Sequence, residues 1–256
     1  MDVADGIDRA GTRRLPVWGF LAVVVAYLVV LQGLGALLTR GIDAKYAAPS
    51  TADQVWRSIT VPVGASLLLG VLVVAYLRWW RPVLVDDRPV RRWVLAVPVI
   101  QLVAIALMVN YGGLAERGLG FTALLLLSAL FVGFGEELMF RGVGVTAFRA
   151  NGFSEGKVAL WTTVIFGVVH ASNLFSEGVG AFAQVFAAAL SGYFFYLGRR
   201  VGGGLLLPAV VHGLWDFSLI SGSVVPGESY PLTMISFLAL IVLTVLVLVR
   251  REHVEA

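Results

Sequence analysis

The side chains able to do chemistry in this 256-residue chain are concentrated in three short stretches. "GFGEELMFRG" (133–142) holds Glu136, Glu137 and Arg141, "FGVVHASN" (166–173) holds His170 four residues after Phe166, and "HGLWD" (212–216) holds His212 and Asp216. Residues four apart share a helix face, so Glu137 is within pairing reach of Arg141, and His212 of Asp216. Glu136 stands about 100° further round the same helix; it has no local partner and is the better candidate for a reactive carboxylate. Hydrolysis needs a base for the attacking water and donors for the oxyanion that develops on a carbonyl. Glu136 suits the first role, with His170 holding or deprotonating the water. His212 suits the second, with Asp216 orienting it or approaching the carbonyl itself. Two histidines and a glutamate brought together by folding could also bind zinc. Each stretch has a plainer reading as well: charges snorkelling to water at a span end, a packing histidine, and a His–Asp clasp between helices.

The elements that must position these groups are membrane helices. The chain is 59% hydrophobic and only 14% charged, with a mean hydropathy of +0.88, whereas soluble domains carry roughly 25% charged residues. Apolar stretches of spanning length number about eight, at 15–38, 59–80, 93–111, 119–140, 158–175, 180–197, 203–221 and 231–249. This predicts an all-α polytopic bundle with the candidate residues on the fourth, fifth and seventh spans. The first stretch is too long for a signal-peptide core and reads as a retained helix. Counting about 1.5 Å per residue, His212 lies about 13 Å and His170 about 18 Å from the cytosolic start of its span, and Glu136 about 6 Å from the end of its own. Helix tilt can absorb part of that spread, so the three spans could share one cavity.

Of the nineteen Lys and Arg, fifteen fall on the side of the termini and only Arg40, Lys45, Arg57 and Arg117 on the other. By the positive-inside tendency, both termini are expected in the cytosol, and this topology accounts for the net charge of +3 without nucleic acid. The expected organisation is a cytosolic tail (1–14), three helices without motifs (15–118), a region with all the candidate residues (119–249) and a second cytosolic tail (250–256) in which His253 is solvated. The arginine-rich stretch at 78–93 reads as a topogenic loop contacting anionic membrane lipid. "GRRVGGG" (198–204) contains a GxxxG pattern that suits either close helix approach or a flexible loop. The chain has no cysteine, which excludes disulfides and thiolate chemistry, and neither GxSxG nor HExxH is present.

The ordered series EExxxR (Glu136, Glu137, Arg141), FxxxH (Phe166, His170) and HxxxN/D (His212, Asp216), each on its own span, resembles the CPBP family of intramembrane proteases. That family contains type II CAAX prenyl endopeptidases and bacteriocin-processing or immunity proteins. The resemblance covers roughly residues 119 to 221. It implies an endopeptidase in which Glu136 and His170 activate water, His212 and Asp216 form the oxyanion pocket, Glu137 is a second acid and Arg141 supports it. Its substrates would be peptides or lipidated proteins. Family members are described both as metalloproteases and as metal-free glutamate proteases. Asp216 replaces the Asn of the prenyl proteases, so it must be protonated, paired or engaged in orienting His212, because an ionised Asp repels an oxyanion. The rival readings are an ion- or proton-coupled transporter, using the same groups as a relay, and a non-catalytic scaffold or immunity protein.

Overall fold

A computed structural model describes residues 12–42, 48–88, 90–173 and 181–250; His253 and most of both terminal tails lie outside them. The described residues are helical, apart from loops and an isolated antiparallel bridge between Val85 and Gly204. Helix α1 is Val17–Leu38 and α2 is Ala52–Leu77. Next come α3 (Ala96–Met108) and α4 (Tyr111–Arg117). The long α5 (Leu119–Ala150) is followed by α6 (Glu155–Val169), α7 (Ala181–Val201), α8 (Leu206–Ser221) and α9 (Pro231–Val249).

Among the described residues each of the eight apolar stretches overlaps a helix, but span length is less uniform than the sequence predicts. Among the described residues, four helices (α1, α2, α5, α9) are long and apolar enough to cross a membrane, or five if the pair Arg92–Met108 and Tyr111–Arg117, bent by 57°, counts as one span. Helix α6 has 15 residues and α8 has 16, short for a bilayer that takes about 20. Exposed apolar side chains such as Leu21, Val25 and Val29 on α1 and Phe237, Ile241 and Val245 on α9 require lipid rather than water around them. These long apolar helices and their exposed apolar faces fit an integral membrane protein.

Local sequence explains the interruptions. Thr51 and Gln54 form a reciprocal capping box that starts α2. Pro62 has no N–H to donate, and the π turn Trp56–Thr60 precedes it. Between α3 and α4, Val109 turns extended, and Asn110 restarts the helix by accepting from the Gly113 N–H at 2.9 Å. The 57° bend follows.

The most extensive helix pair is α5 with α8, and glycines make it close. A Cβ at Gly133 would lie 2.3 Å from the Ala209 carbonyl oxygen, and one at Gly213 would lie 2.8 Å from the Ala129 carbonyl oxygen. The two backbones therefore touch, as small residues allow between membrane helices. The GxxxG pattern also serves close approach, since a Cβ at Gly202 would sit 2.7 Å from Leu207 Cβ at the turn into α8.

The arginine-rich stretch departs from the loop expected of it, because part of it is packed into the protein. Asp86 is fully buried in its side chain and meets Arg149 and Arg199, each at 2.9 Å. Arg199 also donates to the carbonyls of Pro82, Val83 and Val85. Glu155 pairs with Arg149 and Arg200, contacts Arg88 and accepts from the Tyr196 hydroxyl. These contacts tie residues 82–88, the end of the short helix Trp80–Leu84 and the segment after it, to the ends of α5, α6 and α7. Burial would raise Asp86, but the guanidiniums of Arg149 and Arg199 hold its carboxyl below the usual range. Glu155 is likewise lowered: burial opposes the shift, and hydrogen bonds from Arg149 and Tyr196 outweigh it.

Candidate active site

Helix α5 does not end near Phe140, as the sequence reading places it. It runs on to Ala150 through a π segment, Leu138–Gly144. Fourteen residues thus separate Glu136 from the end, about 21 Å at 1.5 Å per residue, in place of the expected 6 Å. The apolar pattern could not reveal this, because the residues after 140 are small or polar enough to read as a loop. Gly142 and Gly144 admit neighbours there: their Cβ positions would lie 2.8 Å from Val83 and 2.9 Å from Phe20. π segments recur at functional sites inside α-helices.

The snorkelling reading fails on burial. Glu137 and Arg141 are both wholly inaccessible and pair at 3.0 Å, four residues apart as expected. The Arg141 guanidinium lies over the Phe166 ring, 4.0 Å from its centroid, a contact worth up to about 2 kcal/mol when desolvated. Gly192 of α7 leaves room for it, since a Cβ there would fall 2.6 Å from Arg141 Nη2.

All six candidate residues converge. Glu137 Oε1 also accepts from His212 Nδ1 at 3.0 Å, so one carboxylate joins α5 to α8. His212 Nε2 lies 3.8 Å from Glu136 Oε2 and 3.7 Å from Asp216 Oδ2. His170 Nε2 reaches within 3.9 Å of the same Glu136 oxygen. The partners assign the tautomers. His170 Nδ1 lies 2.8 Å from the Phe166 carbonyl, an acceptor only, so Nδ1 carries the proton and Nε2 can accept. Phe166 therefore positions His170 twice, through its carbonyl and through an edge contact between the rings, 4.8 Å apart. His212 Nδ1 donates to Glu137, and protonation at Nε2 would add a second donor, with Asp216 as counter-charge. At 3.7 Å from His212 Nε2, Asp216 is within ion-pair reach of a protonated His212.

Two residues missed by the sequence reading complete the site. Phe195 of α7 stacks on His212 with centroids 4.4 Å apart. Tyr27 of α1 is 1% exposed, lines the same cavity as Glu136, His170, His212 and Asp216, and its hydroxyl makes no hydrogen bond within the protein. Glu136 Oε2 makes none either. Buried polar atoms nearly always have a partner, so both are available to a ligand. Tyr27 lies in an apolar helix without a motif, and its sequence context holds no signal of this role.

The cavity encloses about 480 Å³ between α1, α2, α5, α8 and the turn His170–Asn173. Among the described residues, no group of three His, Asp or Glu side chains is arranged to hold a metal ion.

The fold and site define an all-helical membrane protein with buried acid–base groups at a cavity. Residues 118–218 match the family described as Type II CAAX prenyl endopeptidase Rce1-like, well under half of the chain but the part that contains all three motifs. This match supports the CPBP protease family that the motif order resembles. No curated protein and no solved structure matches the chain.

Proposed function

We propose that the protein is an intramembrane endopeptidase of the cell membrane, both termini cytosolic, hydrolysing peptide bonds of membrane-associated or lipidated substrates with a water activated by Glu136 and His170. The observation that carries this reading is the unpartnered Glu136 Oε2 with His170 Nε2 at 3.9 Å. That separation is too long for a direct hydrogen bond and suits one water touching both. Glu136 takes a proton from the water as its oxygen bonds to the substrate carbonyl carbon. The carbonyl oxygen, now negative, accepts from protonated His212 Nε2 and from the Tyr27 hydroxyl. The C–N bond then breaks, and Glu136 returns its proton to the leaving amine. Arg141 and Glu137 do not touch substrate. They hold His212 in position and fix its Nδ1 proton.

The test is cleavage of quenched fluorogenic peptides by detergent-purified protein and its Glu136→Gln variant, each with and without a chelator. Loss of a general base costs about 10²–10⁴-fold, so Glu136→Gln should lose nearly all turnover while remaining folded. Wild-type turnover in the variant would remove Glu136 as the base. A non-catalytic scaffold predicts no cleavage by either protein. A relay transporter needs polar continuity to both faces, and toward the arginine-rich end α5 is buried without a break from Glu137 to Phe148.

A further inference from the structure

Among the described residues, the two ends of the bundle differ in charge, and the cavity reaches toward only one of them. At one end gather Arg13, which donates to the Tyr76 carbonyl, and the Asp86 and Glu155 ion pairs with Arg88, Arg149, Arg199 and Arg200. None of these lines the cavity. Between the site and that end, Met139, Arg141, Val143, Val145, Ala147 and Phe148 are at most 2% exposed. The opening lies the other way. From Tyr27 and Glu136 the cavity follows one face of α1 through Gln32, Gly35 and Ala36 to Thr39, and it is also lined by Ser58, Ser172, Asn173 and Gln184. Gln32 donates to Ser172 at 3.0 Å and to Asn173 at 3.2 Å, and Asn173 donates to Gln184 at 2.9 Å. Among the described residues the polar side chains of this rim are neutral amides and hydroxyls, set among apolar neighbours such as Leu31 and Ala36.

Arginine-rich ends of membrane proteins lie in the cytosol. Resting on the endopeptidase reading above, we infer that the active site opens to the extracytoplasmic face, so that its substrates are extended segments of exported or membrane proteins presented from outside. Amide and hydroxyl side chains each offer donors and acceptors, which match the alternating N–H and C=O groups of an extended peptide backbone. A rim of this kind asks for no charged terminus. A cytosolic lipidated C-terminus would approach the arginine-rich end, where the protein is packed solid.

Because the chain has no cysteine, single cysteines report their own accessibility. The test uses the full chain in sealed right-side-out and inside-out membrane vesicles, with an impermeant maleimide and an impermeant hydrophilic fluorogenic peptide. Ala36→Cys on the rim should label only in right-side-out vesicles, and Asp87→Cys at the arginine-rich end only in inside-out vesicles. The wild-type chain should cleave the peptide in right-side-out vesicles, and in inside-out vesicles only after detergent. Reversed labelling, or cleavage confined to intact inside-out vesicles, would overturn the inference. If detergent-solubilised protein cleaves nothing, the endopeptidase reading falls, while the labelling still decides which face the cavity opens to.

Discussion

Replacing Gly133 with alanine tests whether the α5–α8 contact sets the chemistry. The added methyl would stand 2.3 Å from the Ala209 carbonyl oxygen, 2.4 Å from the Gly213 nitrogen and 2.8 Å from the Gly213 Cα. All three are backbone atoms, so no side-chain rotation relieves the overlap. A carbon–oxygen contact needs about 3.3 Å, so the helices must separate by about 1 Å. His212 lies one residue from Gly213, and Glu137 one turn from Gly133, so that displacement acts directly on their 3.0 Å hydrogen bond. Stretched to about 4 Å, the bond would no longer hold the imidazole. Overpacking of this size costs about 1–3 kcal/mol, and a 1 Å misplacement of a catalytic group costs about 10²-fold in rate. The expected result is a lower unfolding temperature in detergent and a fall of about 10²-fold in peptide turnover, mostly in kcat. Gly120, whose Cβ position is open, supplies the control: Gly120→Ala should be silent in both measurements. Wild-type turnover with an unchanged melting temperature in Gly133→Ala would refute the argument that this crossing sets the site.

Other expectations follow from the same geometry. Arg141→Ala leaves Glu137 buried without its cation, which costs about 3–5 kcal/mol; denaturation in detergent should show it, and Arg141→Lys should not restore stability fully because the planar contact with Phe166 is lost. Tyr27→Phe should lower kcat by about 10²-fold, the loss expected for one oxyanion donor, without lowering the melting temperature; an unchanged kcat removes Tyr27 from the reaction. The ion pairs of Asp86 and Glu155 bear on pH. Both carboxyls sit below their ordinary values in the folded protein, so their contribution is complete above the unfolded values near 4 and is lost as pH falls through the folded ones. The melting temperature should therefore be flat on this account from neutral pH to about 5 and fall below about 4, and Asp86→Asn should flatten that acid limb while lowering stability at neutral pH.

Some of this protein could be read from its residues alone, because the signals are local. Apolar runs of spanning length report helices whatever their neighbours are, since a backbone in lipid must satisfy its own hydrogen bonds. Spacings of four put Glu137 beside Arg141, His212 beside Asp216 and Phe166 beside His170, because helical geometry holds regardless of packing. The motif order pointed to the family for the same reason. Three-dimensional packing decided the rest. Glu136 gained its setting from histidines 34 and 76 positions away in the sequence, which no local pattern connects. The π segment and the unbroken course of α5 depend on Val83 and Phe20 filling the space over Gly142 and Gly144, so the helix end could not be seen from the run of apolar residues. Asp86 looked like one charge in a surface loop until Arg149 and Arg199 enclosed it. Tyr27 is the clearest case: an aromatic residue in an apolar helix has no distinguishing context, and only the approach of α1 to α5, where its hydroxyl would stand 3.0 Å from a Cβ at Gly135, turns it toward the site. Helix and pairing are set within a few residues of chain, whereas a cavity and its polar lining exist only once separate helices have met.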